Sequence, residues 1–174
     1  AVVEAIPADR EILFLPDMFL GIWLERVTGR KLTIWLGECH VHAGIRISEL
    51  RAQQLAHPEA DMLIHPECGC TSRYVWARGT NDLPSEGTHV LSTEGMVRHV
   101  LNSSNPVHLI ATETGLLHRL RKEAPHKTLL AADESAVCRY MKQITLPKLR
   151  TTLRTLTPTV EVPPSIAARA RLSI

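Results

Sequence analysis

The residues of this 174-residue chain that are best suited to chemistry are its four cysteines and nine histidines. Most of the thiols stand beside imidazoles or carboxylates, in Cys39-His40-Val41-His42 and in His65-Pro66-Glu67-Cys68-Gly69-Cys70. Thiolate, imidazole and carboxylate groups at such short spacing bind transition metals. Imidazole and carboxylate groups also transfer protons. The sequence therefore predicts a metal site, a proton-transfer site or both.

Two further segments could bind or hold substrate groups. His65 and Glu67 flank a proline that stiffens the turn between them, so they can present a hydrogen-bond donor and a proton-transfer group. A half-buried structural histidine is an equally good interpretation of His65. Ser92 and Thr93 begin a predicted helix, where hydroxyls beside unpaired backbone N–H groups can bind a carboxylate or phosphate. The alternative is that these two residues only cap the helix. The similar segment Thr112–Gly115 predicts a helix cap.

The environment of each cysteine decides whether its thiol can act as a ligand. A lone cysteine is most often a small buried hydrophobe. Cys138 is predicted in the first turns of a helix capped by Asp133 or Ser135, where the helix dipole favours the thiolate. Cys39 follows Gly37 in a turn flanked by histidines. Both are therefore candidate metal ligands.

The apolar pattern predicts the elements that must position these residues. Short apolar runs predict six strands and segments with apolar residues three and four apart predict helices between them. Such alternation is typical of an α/β fold with parallel sheets buried on both faces, whose ligands bind beyond the carboxyl ends of the strands. The predicted strands are Glu11–Leu15, Leu32–Leu36, Met62–Ile64, His89–Leu91, Val107–Ala111 and Thr128–Leu130, and the helices Met18–Val27, Ile47–Leu55, Met96–Leu101 and Leu116–Leu120. All four cysteines follow predicted strands.

The remaining segments carry structural expectations. The proline- and threonine-rich stretch Thr151–Pro164 predicts a linker or strap, because proline disrupts helices and central strands. Ser165–Leu172 predicts a short helix with Ser165 as its N-cap. Trp23 and Trp35 are predicted in the core.

Composition excludes several classes of protein. A net charge of +2 with little clustering of basic and aromatic residues argues against nucleic-acid binding, and no apolar run is long enough for a membrane span. No signal peptide is visible, so we expect reduced thiols and a cytoplasmic location. Val2–Ala5 has the pattern of the middle of a helix, since no capping residue precedes it. We therefore expect the chain to be part of a longer polypeptide.

Taken together and in order, six motifs resemble those of the quinolinate synthases. They are Leu13-Phe14-Leu15-Pro16-Asp17 with Leu20-Gly21, Gly37-x-Cys39-x-Val41-His42, His65-Pro66-Glu67-Cys68, Ser92-Thr93, Ala111-Thr112-Glu113-x-Gly115, and Cys138-x-x-Met141-Lys142 with Thr145-Leu146. The C-terminal end, with Ile166-Ala167-x-x-Ala170-Arg171, is also similar to that family.

The resemblance implies an enzyme of NAD biosynthesis that condenses iminoaspartate (iminosuccinate) with dihydroxyacetone phosphate to give quinolinate, phosphate and water. It implies small three-layer αβα sandwich domains with parallel sheets, three of them around a pseudo-threefold axis. This chain would be a C-terminal portion, with residues 1–60 forming most of one domain, 61–150 a second domain, and 151–174 a C-terminal strap and helix.

The resemblance also implies a 4Fe-4S cluster held by three cysteines, with one iron left open for substrate. Cys39 and Cys138 match two of these ligands, and the third is expected upstream of this chain. The chain alone is therefore expected to be inactive. An aspartate-oxidising enzyme is the implied supplier of iminoaspartate.

By the same resemblance, iminoaspartate or its carboxylates contact the His-Pro-Glu and Ser-Thr segments. Glu67 is the expected proton-transfer residue, with His65 holding a carboxylate as the second catalytic residue. The implied substrate-binding residues are His42, His65, Pro66, Glu67, Ser92 and Thr93.

Two alternatives remain open at this stage. One is a zinc-binding α/β protein, structural or hydrolytic, that uses Cys39, His42, Cys68 and Cys70. The other is a metal-free α/β domain that binds a sugar phosphate or serves as an assembly module. The connection from Gly69 to Gly87 is longer than in shorter family members, so Cys70 is expected to be specific to this branch.

Overall fold

The computed structural model of the chain describes residues 2–69 and 86–173. The fold divides into two compact units, Ala1–Val137 and Cys138–Ile174. Within the described ranges, no helix has the length and apolar character that a membrane span requires. The domain boundaries near residues 60 and 150 remain predictions.

All six predicted strands are present, and every pair of neighbours is parallel. The smaller sheet has two strands and the larger sheet has four, in the order β4-β3-β5-β6. This confirms the α/β class with parallel sheets. The strands are β1 (Leu13–Phe14), β2 (Thr33–Ile34), β3 (Asp61–Ile64), β4 (Thr88–Val90), β5 (Val107–Ala111) and β6 (Thr128–Ala131).

The helices of the first unit connect these strands, and the four predicted there are confirmed, with bounds that shift by up to three residues. The described helices of this unit are α1 (Val2–Ala5), α2 (Met18–Thr28), α3 (His40–Gly44), α4 (Ile47–Ala56), α5 (Thr93–Asn102) and α6 (Leu116–Glu123).

The larger sheet is buried on both faces. Met62, Leu63 and Ile64 are consecutive in β3, so their side chains point to alternate faces, yet all are at most 1% exposed. Helices α5 and α6 cover one face, where Leu63 and Ile110 pack with Met96 and other apolar residues of the core. The arrangement is consistent with a small αβα sandwich.

The strand order of the larger sheet creates a crevice at one edge. The chain passes from β3 to β4 on one side, and then crosses β3 through α5 to reach β5 on the other side. Connections that leave in opposite directions open a crevice between the carboxyl ends of the two central strands, here β3 and β5. Ligand-binding residues are expected at this position.

The smaller sheet is covered on one face by α2. Gly21 allows the close approach, because a Cβ there would lie 3.0 Å from side-chain atoms of both Phe14 and Ile34. Trp35 is 61% exposed, so its prediction as a core residue is wrong. On the face of this sheet that α2 does not cover, Leu13 and Thr33 are exposed as well. Trp23, the other predicted core residue, is half-buried.

In the second unit the structure corrects two predictions. Helix α7 spans Leu146–Thr155, so the first part of the predicted linker is helical. Thr145 caps this helix, and the Thr151 hydroxyl bonds to the Pro147 carbonyl one turn back, which satisfies a polar group within the helix. Helix α8 spans Pro164–Ala170, and Ser165 is therefore not its N-cap but lies in its first turn.

Gly37 allows the loop after β2 to pass close to the loop after β1. The Gly37 carbonyl accepts a hydrogen bond of 2.8 Å from the Met18 N–H at the start of α2. A Cβ at position 37 would lie 2.3 Å from the Pro16 carbonyl oxygen, which is inside any real contact distance. Any side chain here must therefore push the two loops apart.

We expect Gly37→Ala to lower the free energy of unfolding by about 1–3 kcal/mol, the usual cost of overpacking. Gly44→Ala is the matched control, since no atom lies within 4 Å of its added Cβ. Urea denaturation of both variants measures the effect. Equal midpoints for the two variants would contradict the close approach seen at Gly37.

Candidate active site

The candidate residues of the first unit gather at the carboxyl ends of the parallel strands. His65 follows β3 and Thr112 follows β5, so both stand at the crevice between these strands. The His65 N–H donates to the Ala111 carbonyl at 3.1 Å, which continues the pairing of β3 with β5. From the smaller sheet, Asp17 follows β1, and the segment that carries Cys39 follows β2.

His42 connects the two sheets at this point. It lies in α3, is 8% exposed, and its Nε2 is 2.8 Å from the Thr112 hydroxyl. Its Nδ1 is 3.3 Å from Oε2 of Glu67, a charge-pair distance, although the direction does not form a hydrogen bond. The imidazole is thus held between a hydroxyl and a carboxylate from separate strand ends.

His65 stacks on His42, with ring centroids 4.4 Å apart and planes inclined by 8°. Burial, and to a smaller extent the neighbouring His42, lowers the pKa of His65 to about 4. Its Nδ1 accepts a hydrogen bond of 3.3 Å from the Glu67 N–H. A neutral ring that accepts at Nδ1 carries its proton on Nε2, so His65 can donate to an oxygen of a ligand.

Glu67 has the opposite shift. Burial, and then the negative charge of Asp17, raises the pKa of the Glu67 carboxyl above its usual value. Burial also lowers the pKa of His42, against the charges of Asp17 and Glu113. Near neutral pH the two rings are therefore uncharged, and Glu67 takes up a proton more readily than a solvated carboxylate does.

Asp17 fixes the position of Cys39. Its carboxylate accepts a hydrogen bond of 2.8 Å from the Leu20 N–H, which caps α2, and its other oxygen accepts one of 3.2 Å from the Cys39 N–H. Asp17 is only 2% exposed. Cys39 is in turn the N-cap residue of α3, so the same contact orients the helix that carries His42.

Cys39, His42 and Glu67 each contribute a ligand atom to a group in which all three atoms lie within 4.8 Å of one another. The Cys39 thiol is free and half-buried. Thiolate sulfur is the usual protein ligand of iron-sulfur clusters, and a mixed sulfur, nitrogen and oxygen set also suits a single transition-metal ion. The donor chemistry therefore fits a metal cofactor beside Cys39.

The other cysteines differ from expectation. Cys138 is not in a helix, since it lies in an irregular segment before a 3-10 turn at Met141–Gln143. The Asp133 carboxylate instead accepts from the Ser135 N–H and hydroxyl, which closes a local turn and starts no helix. Cys68 is buried and disulfide-bonded, so the expectation of a reduced thiol is wrong for this residue. It is therefore unsuited to the predicted zinc site, and Cys70 lies outside the described residues.

Ser92 and Thr93 stand at the neighbouring strand end. The Leu91 N–H donates to the Ile64 carbonyl at 2.9 Å, so the start of α5 is adjacent to the segment that begins with His65. Ser92 is the N-cap of α5 and accepts from the Gly95 N–H at 3.2 Å. Thr93, in the first turn, is exposed.

Sequence reasoning missed Thr112 and gave Asp17 no role. Thr112 does not cap α6, because the Gly115 N–H donates to Glu113 instead, and the Thr112 hydroxyl turns to His42. The available signal was position, since Thr112 directly follows β5 and Asp17 lies three residues beyond the end of β1. For Asp17, the aspartate three residues before Leu20 also marks an N-cap.

We expect Thr112→Val to destabilise the fold by about 1–3 kcal/mol, because it leaves His42 Nε2 buried without its partner. Thr114→Val is the control, as the Thr114 hydroxyl makes no hydrogen bond within the described part of the chain. Chemical denaturation measures both variants. A similar loss in the two would show that the His42 contact contributes no stability.

Comparison with known proteins agrees with this architecture. A family model described as quinolinate synthetase A protein matches residues 1–174. A quinolinate synthase of Thermus thermophilus is 48% identical over 173 residues, covering 99% of this chain and 54% of the relative. Those of a Mycobacterium species and of Mycobacterium tuberculosis are 47% and 46% identical over 174 residues, covering 99% of this chain and 52% and 50% of the relative. The chain spans about half the length of the curated relatives it matches, and it belongs to the quinolinate synthetase A protein family.

Proposed function

We propose that this chain forms part of a quinolinate synthase, which condenses iminoaspartate with dihydroxyacetone phosphate to quinolinate, phosphate and water in NAD biosynthesis. The observation that carries the proposal is the group of Cys39, His42 and Glu67, gathered at the carboxyl ends of parallel strands in a chain of this family. An aspartate-oxidising enzyme would supply iminoaspartate. A cytoplasmic location suits reduced thiolate ligands.

We assign Cys39 and Cys138 as two ligands of a 4Fe-4S cluster, with a third cysteine contributed from outside these residues. The support is the donor chemistry at Cys39, whose free thiol is held in place through its N–H by the buried Asp17. When bound by three cysteines, such a cluster would supply a Lewis-acidic iron for the loss of water from the substrate. Two α/β sandwich domains, 1–60 and 61–150, followed by a C-terminal strap and helix, remain our proposal for the domain organisation.

The protein residues supply proton transfer and orientation. His65, neutral and with its proton on Nε2, donates to a substrate carboxylate or carbonyl oxygen. Glu67, whose pKa is raised by burial, takes a carbon-bound proton during enolisation and returns it to a leaving hydroxyl. His42 places its Nδ1 3.3 Å from Oε2 of Glu67, so the imidazole lies beside the proton carrier.

The substrate is anionic, and the neighbouring strand end can bind it. Ser92 and Thr93 lie at the N-terminus of the ten-residue helix α5, where unpaired N–H groups and hydroxyls attract carboxylate or phosphate oxygens. Pro66 stiffens the segment that presents His65 and Glu67. These residues complete the proposed substrate site beside His42.

Replacing Cys39 or Cys138 by serine in the intact protein is expected to abolish iron binding and activity, because serine is a poor ligand for iron-sulfur clusters. Cys70→Ser is the control and should retain iron. Iron and acid-labile sulfide are measured after anaerobic purification. Stoichiometric zinc in a colourless protein would support a zinc site instead, and loss of iron in the control would mean that other thiols are the ligands.

Glu67→Gln is expected to keep the cluster and to lower kcat by about 10²–10⁴-fold, since the amide cannot carry the proton. Glu59→Gln is the matched control, because Glu59 is exposed and pairs only with His57 in the described chain. Quinolinate formation and iron content are measured together. Near-normal turnover with Glu67→Gln would remove this residue from proton transfer.

A further inference from the structure

A second group of histidines lies at the opposite end of the larger sheet. Asp61 begins β3, His89 is in β4, His108 is in β5 and His99 is on α5. In the strand register Asp61 is opposite His108, and His89 is opposite Leu63, so the side chains of these residues share the sheet face that α5 covers. Asp61 precedes His65 by four residues, about 13 Å along the strand, which separates this group from the site around Cys39.

Asp61 is held in a fixed orientation. Its Oδ2 lies 2.9 Å from His99 Nε2 and accepts from the Ser103 hydroxyl at 3.1 Å, while its Oδ1 accepts from the Asn105 amide at 3.0 Å. These bonds keep the pKa of Asp61 below its usual value, against the effect of burial. The bonds from Ser103 and Asn105 are outer contacts that orient the carboxylate, and such contacts are typical of carboxylate ligands in metal sites.

The imidazoles complete a set of ligands. One atom from each of Asp61, His89 and His99 lies within 4.8 Å of the other two, and the His89 and His99 rings are 4.3 Å apart between centroids. His89 makes no side-chain hydrogen bond in the part of the chain that the structure describes, so no such contact explains its place in this partly buried group. Two imidazoles and a carboxylate are a common set of ligands for zinc.

His108 is an independent indication that an ion or water lies beside these residues. Its side chain is fully buried, and neither ring nitrogen has a hydrogen-bond partner among the described residues. Its Nε2 lies 3.8 Å from Asp61 Oδ2, which directs the ring toward the ligand group. A buried imidazole without partners is costly unless an ion or water beside it satisfies a nitrogen.

We propose that Asp61, His89 and His99 bind a divalent transition-metal ion of the zinc class, with His108 facing a fourth, non-protein ligand. Three protein ligands leave one tetrahedral position for water, and such a water would give His108 Nε2 a partner. The ion would join β3, β4 and α5 at the end of the sheet remote from Cys39. Lys127 donates hydrogen bonds to the carbonyls of Ser103 and Asn105, so its positive charge lies near the proposed ligands. The negative charge of Asp61 offsets the positive charge of Lys127.

The test is zinc binding to the intact protein with its iron in place, by equilibrium dialysis and metal analysis. We expect one Zn²⁺ per chain, and at least about tenfold weaker binding after His89→Gln. His126→Gln, which removes an exposed imidazole, is the control and should bind as the unchanged protein does. Equal affinity in the two variants would overturn the proposal.

Two further measurements keep the test decisive. Zinc K-edge absorption should show nitrogen and oxygen ligands at about 2.0–2.1 Å, and a sulfur ligand at about 2.3 Å would place the ion at cysteines and contradict the proposal. Zinc should also raise the Tm of the unchanged protein and of His126→Gln but not of His89→Gln. If His89→Gln does not fold, His99→Gln takes its place with the same expected results.

Discussion

The carboxylate of Asp17 is the interaction on which the site depends. A buried charge is tolerated only when its oxygens are hydrogen-bonded, and here one oxygen caps α2 while the other holds the Cys39 N–H. The same negative charge acts on Glu67 and His42. One side chain thus links the position of the candidate metal ligand to the protonation of the groups beside it.

The strand order explains why these groups meet. Parallel strands direct all their carboxyl ends to one edge, and the crossing of β4 to β5 over β3 opens the crevice where His65 and Thr112 stand. Burial at this edge lowers the pKa of both His42 and His65 and raises that of Glu67. Desolvation favours the uncharged form of each group, so one environment yields neutral hydrogen-bond donors and a carboxyl suited to proton transfer.

The two ends of the larger sheet carry different polar groups on one apolar core. At the carboxyl end, the His65 imidazole and the Glu67 carboxylate come from the loop after β3, while at the other end Asp61 and His108 project from the strands themselves. Loop residues can rearrange around a substrate, whereas strand residues are held by the ladder. This difference favours chemistry at the carboxyl end and a fixed ion at the other.

The sequence alone predicted the strands, the parallel α/β class and most of the helices. The spacing of apolar residues is a local property, so it can be interpreted for each segment separately. It also indicated which residues follow each strand, and so named Cys39, His42, His65 and Glu67 together. It was wrong about a helix at Cys138, where the preceding turn competes with a helix, and about Trp35, which is exposed because α2 alone among the described helices covers its sheet. Only the tertiary structure decided that His42 contacts Thr112, 70 residues away, and that Asp61 gathers His89 and His99. These contacts depend on strand order and on which face each helix covers, and no local pattern of residues contains that information.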